Sequence, residues 1–98
     1  MRPIPTLLSS LALVGAFALP AQAQAPLAAQ GCVGCHGPNG AGMGGVPGLA
    51  GRDQAELVAQ MNAFRANERP ATIMGRVARG YTEAEIAASA AYFARQPR

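Results

Sequence analysis

Cys32 and Cys35 stand three positions apart, and the only histidine of the 98-residue chain, His36, follows directly. Several chemistries use thiols at such spacing. A structural zinc ion wants four soft ligands, and no other Cys or His completes that set. A redox dithiol normally sits at a βαβ turn, and no strand alternation surrounds this one. A disulfide is the ordinary fate of a cysteine pair in an exported protein, but it leaves the adjacent histidine without a role. Covalent attachment of haem c uses all three residues. Two thiols on one side of a turn add to the two vinyl groups of one porphyrin, and the next imidazole reaches the iron. Gly34 and Gly37 leave room for the backbone to approach the ring.

The other face of the iron needs a ligand, and with no second histidine the choice falls on methionine or on nothing. Met43 lies seven residues after His36, too close to wrap over the ring. Met61 has helical neighbours, where methionine ordinarily fills a core. Met74 lies far enough along to cross the ring, between Pro70 and Gly75, and is the expected sixth ligand, with Met61 its rival. His/Met ligation closes the iron to substrates and implies an electron carrier. A small haem enzyme with an open iron, acting on peroxide or a small gas, is the opposing reading. It lacks a distal histidine.

The elements that must position these groups read as follows. Alanine-rich residues 26–30 predict a short helix leading into the cysteines. Nine of the 21 residues from 31 to 51 are glycine, which predicts a loop that approaches something closely. Asp53 with Glu56 predicts a capping box, and Leu57, Met61 and Phe64 carry a helix over 54–66. Residues 70–80 read as a second loop. Thr82 with Glu85 predicts another capping box, opening a helix whose inner face carries Ile86, Ala90 and Phe93. Three short helices and no strand make the class all-α.

Ahead of this lies a leader. Met1 and Arg2 give a short positive start, residues 7–19 form an apolar run, and Pro20 precedes Ala21-Gln22-Ala23. The order predicts a secretory signal over 1–23, cleaved after Ala23, and a single domain over 24–98. The run is shorter than the ~20 residues a membrane span needs, so no stable membrane insertion is expected after cleavage, and the location is periplasmic. The domain has four aromatic residues, Phe64, Tyr81, Tyr92 and Phe93. So few rings fill a core poorly, and a bound prosthetic group would complete it. The formal charge is +3, all its cations arginine. Those arginines are spread out and not interleaved with aromatics, which excludes a nucleic-acid partner and favours an acidic protein face.

Over residues 24–98 the chain resembles a class I cytochrome c. The resemblance rests on Cys32-Val33-Gly34-Cys35-His36-Gly37, Pro47-Gly48-Leu49-Ala50-Gly51, Phe64-Arg65, Met74 and a last helix with Tyr92 and Phe93. It implies the class I fold, short helices wrapped around one covalent haem. It also implies that the Pro47 carbonyl accepts the ring N–H of His36, that Leu49 packs on the haem, and that Leu27 and Ala28 cross the last helix near Tyr92 and Phe93. The segment Thr72-Ile73-Met74-Gly75-Arg76-Val77-Ala78-Arg79-Gly80-Tyr81-Thr82 is similar to the methionine loop of the haem subunit of flavocytochrome c sulfide dehydrogenase. That likeness implies a partner: a flavoprotein that oxidises sulfide to sulfur. Some members of that family have two haem domains, whereas this chain has one motif. A free soluble shuttle to a terminal oxidase or another redox enzyme is the alternative. Arg65, Arg69, Arg76 and Arg79 cluster around this segment, as solvated surface or as partners for a propionate or a docking rim.

Overall fold

The computed structural model describes residues 1–5, 15 and 25–98, so the expected cleavage site after Ala23 lies outside the described residues. The described residues form five α-helices in order: α1 Leu27–Gln30, α2 Val33–His36, α3 Gln54–Arg65, α4 Met74–Arg79 and α5 Glu83–Ala94, with a 3₁₀ turn at Pro38–Gly40. Among the described residues the only extended pairing is an isolated antiparallel bridge between Met43 and Val46. The chain is all-α, with two helices more than its patterning suggests.

The two long helices start where their caps dictate. The Thr82 hydroxyl accepts from the Glu85 backbone N–H at 3.1 Å, and the Glu85 carboxylate accepts from the Thr82 N–H at 3.0 Å, a complete capping box. Along α5 the inner stripe of Ile86, Ala90 and Phe93 is buried. At α3 only half of the expected box forms. Asp53 accepts from the Glu56 N–H at 3.3 Å, but the Glu56 carboxylate accepts from Gln60 at 3.0 Å and lies 3.6 Å from Arg52. Gln60 sits one turn on along α3 and Arg52 just ahead of its cap, each four positions from Glu56 and within reach of its side chain.

Helix α4 falls inside the expected second loop, whose Pro70 and Gly75 read as breakers. A helix of six residues is marginal alone and is held here by packing on α3. Ala78 is buried and Met74 and Gly75 are half-buried, so one side of α4 faces inward. Ile73, Arg76, Val77 and Arg79 remain outside. The two arginines in its last turn favour the negative end of the helix dipole.

The core gathers Ala29, Leu57, Ala90, Tyr92 and Phe93. The Tyr92 and Phe93 rings meet edge to face, centroids 5.1 Å apart. Helix α1 does pack on α5, but through Ala29 and not through Leu27, which is 83% exposed. Ala29 is the fully buried residue of this single turn, and Ala28 beside it is half-buried. The glycine loop is tied to α5 through Gly40, whose φ is +73°. A Cβ at that position would stand 2.6 Å from the Phe93 ring, so only glycine allows the approach.

Candidate cofactor site

Helix α2 is one turn, and it places both thiols and the imidazole on the same short piece of backbone. The His36 N–H donates to the Cys32 carbonyl at 2.9 Å, closing that turn. Gly37 ends it with φ +85°, and the Gly42 N–H then donates to the His36 carbonyl at 2.6 Å. A Cβ on Gly37 would lie 2.6 Å from the Gly42 oxygen, which makes glycine obligatory.

His36 is 7% exposed, and its Nδ1 lies 2.6 Å from the Pro47 carbonyl oxygen. A carbonyl only accepts, so Nδ1 carries the proton and donates. The other ring nitrogen, Nε2, is then the one whose lone pair could bind a metal. This is the outer contact that fixes tautomer and ring direction in metal-ligating histidines.

The two cysteines are not joined to one another; Cys35 is exposed and Cys32 half-buried. Burial pushes the Cys32 thiol up, against a smaller opposite pull from the Tyr81 hydroxyl. Tyr81 donates to the Ala28 carbonyl at 2.7 Å, with its oxygen 4.0 Å from Cys32 Sγ. Burial, and then the neighbouring Cys32, raise the Tyr81 phenol in turn.

Beside Cys32 opens a small cleft of about 40 Å³. Leu49 of the glycine loop, Leu57 and Met61 of α3, and Ile86 and Phe93 of α5 line it, mostly apolar walls. Apolar walls with Cys32 among them suit the chemistry of a porphyrin edge held through that thiol. A larger hollow of about 350 Å³ is lined by Arg52, Glu56 and Arg98 among others, and contains neither cysteine nor His36. Its charged walls do not suit an apolar ring.

The structure thus brings Cys32, Leu49 and Met61 together on one cleft and joins Pro47 to His36. Met74 is half-buried, the first residue of α4 on its inward side, and does not line that cleft. Met43 is 51% exposed in the loop. Of the clustered arginines, Arg69 stacks 4.9 Å over the Phe64 ring. Two residues of the site carried no sequence signal beyond packing. Tyr81 reads as one more ring, and Ser89, also on the cleft, reads as an ordinary helix position.

Comparison with known proteins agrees with this geometry. The sequence profile of the cytochrome c family matches residues 21–96. A thiosulfate dehydrogenase electron acceptor of Stutzerimonas stutzeri is 46% identical over 67 residues, which is 64% of this chain and 31% of that protein. The cytochrome subunit of sulfide dehydrogenase of Chlorobaculum tepidum is 36% identical over 62 residues, 63% of this chain and 56% of that protein. Cytochrome c-552 of Acidithiobacillus ferridurans is 35% identical over 61 residues, 62% of this chain and 26% of that protein. The matched segments therefore span 26% to 56% of the length of these relatives. With two cysteines and a histidine set for attachment and the family profile covering the whole helical unit, this chain belongs to the cytochrome c family and carries haem c covalently on Cys32 and Cys35.

Proposed function

We propose that this protein is a periplasmic cytochrome that moves single electrons through a haem with His36 on one face of the iron and Met74 on the other. It receives those electrons from a dehydrogenase of an inorganic sulfur compound. The observation that carries the reading is the 2.6 Å contact between His36 Nδ1 and the Pro47 carbonyl, which leaves Nε2 unengaged on the residue that follows Cys35. Haem supplies the one-electron iron couple; the chain supplies anchorage, orientation and a largely apolar wall. Cys32 and Cys35 fix the ring covalently. Pro47 holds the imidazole in register, and Leu49 with the α5 stripe keeps water from one side of the cleft.

For the second axial position, Met74 is supported by its place on the inward side of α4, sharing that side with buried Ala78. Met61 is the rival favoured by a specific observation, its position on the cleft wall. Met74→Ala is expected to abolish the sulfur-to-iron absorption band, lower the reduction potential and admit added cyanide. Met61→Ala is expected to keep the band. The reverse result assigns the ligand to Met61.

A sulfur-compound dehydrogenase as electron donor is supported by the names of two relatives, an electron acceptor of thiosulfate dehydrogenase and a cytochrome subunit of sulfide dehydrogenase. For the sulfide case the partner is a flavoprotein. Sulfide-dependent reduction of the purified cytochrome by such a flavoprotein tests it. A free shuttle is the reading that survives if no copurifying flavoprotein reduces it.

A further inference from the structure

Among the described residues one buried side-chain oxygen has no hydrogen-bond partner: the Ser89 hydroxyl, on α5. The residue is 6% exposed and stands on the wall of the cofactor cleft, with Cys32 on the same cleft. A helical serine ordinarily returns its hydroxyl to the carbonyl one turn back, and this one does not. A buried hydroxyl left unmatched is destabilising, and alanine would occupy the same backbone without that penalty. The other α5 residues of the wall, Ile86, Ala90 and Phe93, are all apolar. Gln60, from α3, is the one other polar side chain with an amide or hydroxyl there, and its Nε2 is engaged with Glu56 at 3.0 Å. Ser89 is thus a free, rotatable dipole set into an apolar crevice.

We infer that Ser89 is a potential-setting residue, whose hydroxyl is the polar contact that the crevice turns toward the bound haem and which favours the oxidised form. The oxidised centre carries one more positive charge than the reduced one. In a low-dielectric site a rotatable hydroxyl turns its oxygen toward that charge, and the interaction is stronger there than in water. Polar groups around a redox centre tune it in this way without touching the metal. The inference rests on the proposed placement of the haem in this cleft.

The test is redox titration of the haem-loaded protein, followed by its absorption, in wild type and in Ser89→Ala, Ser89→Val and Ser89→Thr. In the alanine and valine variants the oxidised-to-reduced ratio at fixed potential is expected to fall about threefold, an upward midpoint shift of about 30 mV at 59 mV per tenfold. The threonine variant, which keeps the hydroxyl, is expected to stay near wild type. An unmoved midpoint in fully loaded Ser89→Ala and Ser89→Val overturns the inference. So does an equal shift in Ser89→Thr, because volume and not the hydroxyl would then be responsible. Absence of the haem band from wild-type protein would instead sink the reading of the site, so the two fail separately.

Discussion

The Tyr81 hydroxyl joins parts of the chain that lie 53 positions apart, donating to the Ala28 carbonyl at 2.7 Å while standing against Cys32 Sγ. Removing it leaves a half-buried carbonyl of α1 without its donor, at a cost of about 1 kcal/mol. Tyr81→Phe is therefore expected to lower the urea midpoint with an unchanged slope, the mark of lost stability without altered compactness. At this scale the attachment residues were legible because their chemistry is local: two thiols and an imidazole must share one turn. The neighbours that tune them were not. Ser89 and Tyr81 matter through what the fold brings beside them, and no spacing in the sequence encodes that.

Caps and close approaches set the elements. Thr82→Ala removes the cap of α5 and is expected to cost about 1 kcal/mol by urea unfolding at neutral pH. The same box gives the acid limb a sign. The Thr82 backbone N–H, and then its hydroxyl, hold the Glu85 carboxyl below the usual carboxylate range. A group whose folded pKa is lowered contributes stability above its unfolded value, and that contribution fades as pH falls through the lowered value. Wild type should lose stability on acidification in that window, and Thr82→Ala should lose less; unfolding midpoints at neutral and acid pH check both. Gly40→Ala places a methyl against the Phe93 ring at a left-handed φ, and a loss of roughly 1–3 kcal/mol is expected in the same assay. Helices α3 and α5 were legible because each has a capping residue and a periodic stripe. Helix α4 has neither. Its helicity comes from the surface of α3 beneath it, which the linear sequence does not display.

For the whole molecule the decisive quantity is how little the chain can bury alone. Among the described residues the large buried apolar side chains are Leu57, Ile86, Tyr92 and Phe93, and the other buried apolar ones are alanines. A domain of this size rarely has a self-sufficient core, so a covalently held ring acts as part of the interior. Cys32→Ala with Cys35→Ala is expected to yield a chain with far less helix by circular dichroism and no cooperative thermal transition. The need for such a filler was readable from the scarcity of aromatics. How the ends of the domain meet was less so: the expected crossing was drawn through Leu27 and Ala28, whereas Leu27 is exposed and the buried residue of α1 is Ala29.

That crossing of α1 on α5 has a topological consequence. The helical unit is entered and left at neighbouring points, so its two ends are already clasped before any linker is drawn. A fold of this kind can be threaded into a longer polypeptide, doubled in tandem or circularly permuted with a short bridge, and its cofactor crevice would not be disturbed. Proteins two to four times as long as the matched segment, as the relatives are, can carry such a unit as a single bead.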